Sequence, residues 1–128
     1  MPVVLDSLAI MRLLDDDEPA ASRVQQCIDS GEAVLSWINL AEVLYLLRRR
    51  HGADAATRAV RDLEGVLRAV LPDRATFHEA AAIKADYSMS YADSFAAATA
   101  LKYNAELWTG DPELLVANAP WRTRNPMV

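Results

Sequence analysis

Four acidic residues in this chain stand where acids are unusual. Asp6 directly follows the apolar run Val3-Val4-Leu5, and Asp111 follows Glu106-Leu107-Trp108-Thr109 after a single glycine. Glu42 is flanked at helical spacing by Ile38, Tyr45 and Leu46, so it lies in an apolar surface and not on a clearly wet one. Asp93 sits near the start of Ser90 to Leu101, whose alanines leave no polar face for water, so the stretch reads as a buried helix with one carboxylate in its first turn.

Taken singly, each acid has an ordinary explanation. Ser90 and Asp93 fit a capping box in which each side chain satisfies a free backbone N–H, and Glu42 fits a snorkelling surface glutamate. Taken together, four partly buried anions in one cleft repel one another and are costly to desolvate, which calls for a cation. The only lysines, Lys84 and Lys102, fall in mid-helix or late-helix positions. His51 and His78 show no zinc-site spacing. Ligation by oxygen alone points to a hard ion, Mg²⁺ or Mn²⁺. Such an ion suits phosphodiester hydrolysis, because it orients the phosphate, helps deprotonate the attacking water and offsets charge on the leaving oxygen.

The elements that must position these acids follow from the apolar pattern. Val3 to Leu5 reads as a strand, and Leu8, Ile10, Met11, Leu13 and Leu14 as the apolar face of the helix after it. Asp15-Asp16-Asp17-Glu18 reads as a solvated turn, and Pro19 opens a second helix that Gly31 stops. Ala33 to Trp37 is a predicted strand and Ile38 to His51 a predicted helix, with Leu40, Val43, Leu44 and Leu47 as its core stripe. Helices are predicted over Ala53 to Leu67 and Asp73 to Tyr87, with Arg68 to Leu71 extended between them. After the Ser90 helix, Glu106 to Thr109 is a strand, Leu114 to Ala117 a short helix and Trp121 to Thr123 a last edge strand. Trp37, Trp108 and Trp121 are all expected to pack in the core.

Strands alternating with helices give an α/β fold in which a mostly parallel sheet is covered on both faces. Sites in such sheets gather outside the C-terminal ends of the strands. Asp6 and Asp111 are predicted at those ends, with Glu42 and Asp93 in the first turns of helices that follow extended segments, so all four reach one edge. Arg48-Arg49-Arg50 closes the third helix, where cations are favoured by the helix dipole. Arg49 falls on the same side as Glu42 and, with Arg48 and Arg50, is a candidate contact for RNA phosphates.

Composition narrows the function classes. At 128 residues, 52% apolar and 24% charged, the chain is long enough for a substantial core. No uncharged run approaches a bilayer span and no signal-peptide core precedes Asp6, so a cytoplasmic protein is expected. Cys27 is the only cysteine, which excludes an internal disulfide. The net charge of −5 argues against a general nucleic-acid binder but not against a nuclease that concentrates acids at a metal.

Val3-Val4-Leu5-Asp6-Ser7, Asn39-Leu40-Ala41-Glu42-Val43, Ala92-Asp93 with its alanine-rich continuation, and Leu107-Trp108-Thr109-Gly110-Asp111 resemble, in order and spacing, the four acidic motifs of PIN-domain ribonucleases. Length and order are most similar to the VapC-type toxins of bacterial toxin–antitoxin pairs. The resemblance spans nearly the whole chain, and it implies a single PIN-like three-layer domain over residues 1–128. It also implies that Asp6, Glu42, Asp93 and Asp111 form an Mg²⁺ or Mn²⁺ site, with Ser7 and Thr109 as supporting hydroxyls. The activity implied is endonucleolytic cleavage of structured RNA such as tRNA or rRNA; the partners implied are a second copy of the chain and a small VapB-type antitoxin. One departure is Pro112-Glu113 after Asp111, where polar and aromatic residues are expected, and the sequence leaves open whether Glu113 also reaches the metal.

Two other readings compete. A phosphoacceptor receiver domain also places acids at parallel strand ends, but it pairs two acids near the first strand end and sets a lysine at a late one, whereas Asp6 is followed by Ser7 and Asp111 has no lysine nearby. A catalytically silent RNA- or protein-binding domain of the same fold is the other, disfavoured by the complete acidic set.

Overall fold

The computed structural model describes residues 1–128. Its elements are β1 (Val3–Leu5), α1 (Ser7–Leu14), α2 (Ala20–Asp29), β2 (Ala33–Ser36), α3 (Trp37–His51), α4 (Ala53–Val66), β3 (Arg68–Val70), α5 (Arg74–Asp86), α6 (Tyr91–Lys102), β4 (Glu106–Trp108) and β5 (Arg122–Arg124). The strands form one sheet in the order β3-β2-β1-β4-β5, and every neighbouring pair is parallel.

A parallel sheet covered on both faces requires apolar residues on both sides of its central strands, and the register shows how they divide. Val3 and Leu5 of β1, with Ala33 and Leu35 of β2, face a core built from α1 to α4, through residues such as Ile10, Val24, Leu40, Val43, Val60 and Leu63. Val4, Val34 and Leu107 face the other way, onto α5, α6 and Trp121. The strand period of two thus distributes adjacent residues between two cores, giving three layers. Helix α6 packs against α5, α3 and three strands, which explains why Ala96, Ala97, Ala98 and Ala100 are all buried: only small side chains let so many neighbours approach. No helix is long and apolar enough to cross a membrane. Cys27 is buried, and burial pushes its thiol up to about 11.

From β1 the chain winds outward to β2 and β3, then returns across the sheet to β4 and β5. The direction reverses between β1 and β4, and such switch points open a crevice at the C-terminal strand ends. Asp6 and Thr109 are the residues that follow those two strands.

Several local expectations need correction. Leu114 to Ala117 forms a turn and no helix: Leu114 is fully buried, its carbonyl accepts from the Trp121 indole N–H at 2.9 Å, and Asn118 adopts φ 65°. A carbonyl committed to a distant side chain and a left-handed residue soon after both oppose a continuing helix. Trp37 begins α3 and does not end β2; it lies at the surface, unlike the buried Trp121. Glu42 consequently falls in the second turn of α3. The capping box at α6 is half made: Ser90 Oγ accepts from the Asp93 N–H at 3.2 Å, while the Asp93 carboxylate is directed toward other acids.

Candidate metal centre

Asp6 is the N-cap of α1, and its Oδ1 accepts from the Ala9 N–H at 2.8 Å. The cap position fixes the carboxylate at the end of β1, where it is 1% exposed. Thr109, fully buried at the end of β4, sets its hydroxyl beside Asp6, where it favours the carboxylate form. The same oxygen accepts from the Asp111 N–H at 3.0 Å. One hydroxyl therefore couples the two strand ends and shapes the turn carrying Asp111, whose Oδ1 in turn accepts from the Glu113 N–H at 2.9 Å. Ser7 donates its hydroxyl to Glu42 Oε1, joining the start of α1 to α3. Asp93 enters from the first turn of α6.

These side chains meet in one cleft of about 520 Å³, lined by Asp6, Ser7, Glu42, Asp93, Asp111 and Glu113 together with Arg12, Asp15, Asp17 and Arg50. Seven carboxylates there face two guanidiniums. Burial pushes the Asp6 carboxyl up to about 6, against the lowering effect of the Thr109 and Ala9 hydrogen bonds, with Asp111 and Glu42 adding repulsion. Asp93 rises to about 7, first through burial and then through the charges of Asp111 and Asp6. Neither shift is relieved by an arginine, so the cleft lacks a counter-charge at its centre.

The donor set suits a hard divalent ion. Carboxylate oxygens of Asp93, Asp111 and Glu113 all lie within 4.8 Å of one another, close enough for small rotations to bring them to one ion. No histidine or cysteine lines the cleft, which disfavours zinc or copper. Asp6 and Glu42 complete the acidic wall. Glu113, left open by the sequence, thus joins the acids closest to one another.

Three charged cleft residues, Arg12, Asp15 and Asp17, were not singled out from sequence for this site, whereas Arg50 was a candidate RNA-phosphate contact. Arg12 is the only cation between Val3 and Leu14, on an otherwise uncharged helix. Asp15 and Asp17 were read as a solvated turn. The structure shows that solvated turn, in which Asp16 adopts φ 54°, a left-handed conformation that aspartate tolerates, and adds that Asp15 and Asp17 pair with Arg50 and Arg12. Arg50 is the member of the Arg48–Arg50 run that reaches the cleft. Arg48 and Arg49 border a separate groove with Ala41, Leu44 and Tyr45, and Arg49 donates to the Tyr45 hydroxyl at 2.8 Å.

Asn39 was also missed as an individual residue. It is fully buried on α3, and its Nδ2 donates to the Ala92 carbonyl of α6 at 3.0 Å, tying the helix that carries Glu42 to the residue before Asp93. Asn39→Ala would remove that tie and leave a carbonyl unpaired. We expect it to lower unfolding free energy by about 1–3 kcal/mol, measured by urea denaturation.

Comparison with known proteins agrees with this architecture. The chain superposes on the DNA-bound VapBC of Salmonella typhimurium with a TM-score of 0.80 at 15% identity, covering 98% of each chain. VapBC-1 of nontypeable Haemophilus influenzae gives a TM-score of 0.76 at 21% identity, again over 98% of each chain. Mycobacterium tuberculosis VapC20, a sarcin–ricin loop cleaving toxin, gives 0.72 at 19% identity over 91% of this chain and 95% of that one. No curated protein matches by sequence. The family model described as the PIN domain matches residues 3–119, and the chain belongs to the PIN domain family.

Proposed function

We propose that this protein is a divalent-metal-dependent endoribonuclease of the VapC toxin type, with Asp6, Glu42, Asp93 and Asp111 as the catalytic acids. The observation that carries the reading is the convergence of these acids, with Glu113, on one cleft where two carboxyls are raised by burial and mutual repulsion. A site that only needed stability would not concentrate unneutralised anions in this way.

In this reading Asp93 and Asp111 hold the ion, with Asp6 and Glu113 beside them and Glu42 completing the set. When bound, Mg²⁺ or Mn²⁺ supplies the positive charge that favours deprotonation of the attacking water and offsets charge on the phosphate. The chain's own groups supply placement. The Thr109 hydroxyl keeps Asp6 and the Asp111 turn at a fixed separation, and Ser7 orients Glu42 toward the cleft. The backbone caps at Asp6 and Ser90 hold two acids on rigid helix starts, which preorganises the site before substrate arrives. Water adds at phosphorus, one P–O ester bond breaks, and the products are a phosphate monoester and a hydroxyl.

The substrate in this proposal is structured RNA such as tRNA or rRNA, and the protein works in the cytoplasm as a homodimer restrained by a VapB-type antitoxin. Support comes from the motif pattern and from the similarity to VapBC assemblies and to a toxin that cleaves the sarcin–ricin loop. The test is incubation of purified protein with total RNA in Mg²⁺, in Mn²⁺ and in EDTA. Discrete fragments with either metal and none in EDTA are expected. Intact RNA under all three conditions would favour the silent binding domain.

A further inference from the structure

The cleft contains two cations that its central acids do not use. Arg12 Nη1 donates to Asp17 Oδ2 at 3.0 Å, and Arg50 Nη1 lies 3.2 Å from each carboxylate oxygen of Asp15. Both arginines line the same cleft as Asp6, Glu42, Asp93 and Asp111. Their side chains are 35% and 49% exposed, and those of Asp17 and Asp15 are 44% and 42% exposed. Ion pairs this open to water are weak and exchange readily.

The pairing also leaves donors unused. A guanidinium carries five N–H groups, and Arg12 and Arg50 each engage only Nη1 with their carboxylates. The fork of N–H groups matches the paired non-bridging oxygens of a phosphodiester. A strand whose scissile phosphate reaches the acidic centre must pass its neighbouring phosphates over the cleft rim, where an uncompensated acidic wall would repel them.

We propose that Arg12 and Arg50 form a two-point clamp for the phosphates flanking the scissile one, and that Asp17 and Asp15 hold the clamp in place until RNA displaces them. The clamp rests on the reading of the cleft as an RNA-cleaving site. It gives the Asp15-Asp16-Asp17 turn a role as an internal stand-in for the substrate backbone. The turn keeps both guanidiniums oriented and raises the threshold for weak, nonspecific anions.

The experiment is fluorescence anisotropy of a labelled single-stranded oligoribonucleotide against salt, in an Asp93→Asn background that suppresses turnover. Each phosphate contact with a single strand contributes a salt slope of about 0.7. Arg12→Gln with Arg50→Gln should weaken binding roughly tenfold or more near 0.1 M salt and reduce the slope by about 1.4. Arg12→Lys with Arg50→Lys should keep the slope and lose part of the affinity, because charge remains without the fork. Asp15→Asn with Asp17→Asn should tighten binding.

The charge-matched control, Arg48→Gln with Arg49→Gln, should change the slope less. An unchanged slope in the Arg12/Arg50 glutamine variant, an equal change in the control, weaker binding in the Asp15/Asp17 variant, or no RNA binding by the parent would each overturn the clamp. A parallel Mn²⁺ titration of the otherwise wild-type protein separates the two claims. Metal binding with an unchanged salt slope removes the clamp alone, whereas absence of metal binding removes the reading of the site beneath it.

Discussion

Asp93→Asn is expected to abolish RNA cleavage in Mn²⁺, lowering the rate by at least roughly 10²–10³-fold, which corresponds to about 2.7–4 kcal/mol of lost transition-state stabilisation. The amide has the shape of the carboxylate but no charge to hold a hard cation. Secondary structure should be retained, because the Ser90 cap accepts from the backbone N–H of residue 93 and the Asn39 tie ends on the carbonyl of Ala92. Neither depends on the Asp93 side chain. The same substitution at Asp6 should also remove activity and leave the fold intact, since the asparagine Oδ1 can still accept from the Ala9 N–H and cap α1. Rate assays on variants with matched circular dichroism spectra check both. Wild-type cleavage by both variants, in protein free of contaminating nuclease, would remove these acids from the mechanism.

The second large effect lies in the stability of the metal-free protein. Asp6 and Asp93 carry folded-state values near 6 and 7 against an ordinary value of 3.8. Both acids therefore bind protons more tightly when folded than when unfolded. Their protonated forms favour the native state fully below about pH 4, and that contribution is lost as pH rises through about 6 and then about 7. In EDTA, the melting temperature should fall over this window by more than the rest of the chain accounts for. Asp93→Asn should flatten the upper part of the fall and melt higher than wild type at pH 8, as expected when strain at a functional site is removed. At pH 8, Mn²⁺ at a hundredfold excess over its dissociation constant should stabilise wild type by about 2.7 kcal/mol. For a chain of this length that is roughly 10 °C. The variant should gain much less. A metal-free protein whose stability is flat from pH 4 to 8, with no metal response, would mean that the acids share no such cleft.

What the sequence disclosed and what it hid differ in range. Asp6 was legible because a short apolar run meets an acid at the start of a helical pattern, and both facts lie within a dozen residues. Asp93 was legible because a helix apolar nearly all round makes a lone carboxylate conspicuous. The parallel sheet followed from strands alternating with helices, and β1 to β5 all appeared within a residue or two of their observed ends.

The pairings of Arg12 with Asp17 and of Arg50 with Asp15 were hidden for different reasons. The first depends on a left-handed turn at Asp16, which aspartate tolerates but does not announce. The second joins residues 35 apart in the chain. Helical spacing favoured Arg49 as the cation beside Glu42. In the fold, the Tyr45 hydroxyl engages Arg49, and the Glu42, Leu46, Arg50 row lines the cleft. The expected short helix at Leu114 is a turn because its carbonyl and buried side chain anchor one loop against Trp121. Trp37 shows the same limit, since a tryptophan at a strand–helix junction faces core or water according to the tertiary packing, which periodicity does not encode.

The central claim is that the carboxylates at the β1–β4 switch point hold a divalent ion, and anomalous scattering from crystals of the protein soaked in Mn²⁺ tests it most directly. We expect an anomalous peak in the cleft, within bonding distance of Asp93 and Asp111 and beside Asp6, and its disappearance in Asp93→Asn crystals soaked in the same way. Well-ordered wild-type crystals with no peak in the cleft at saturating Mn²⁺, or with manganese bound only at unrelated surface acids, would contradict the account.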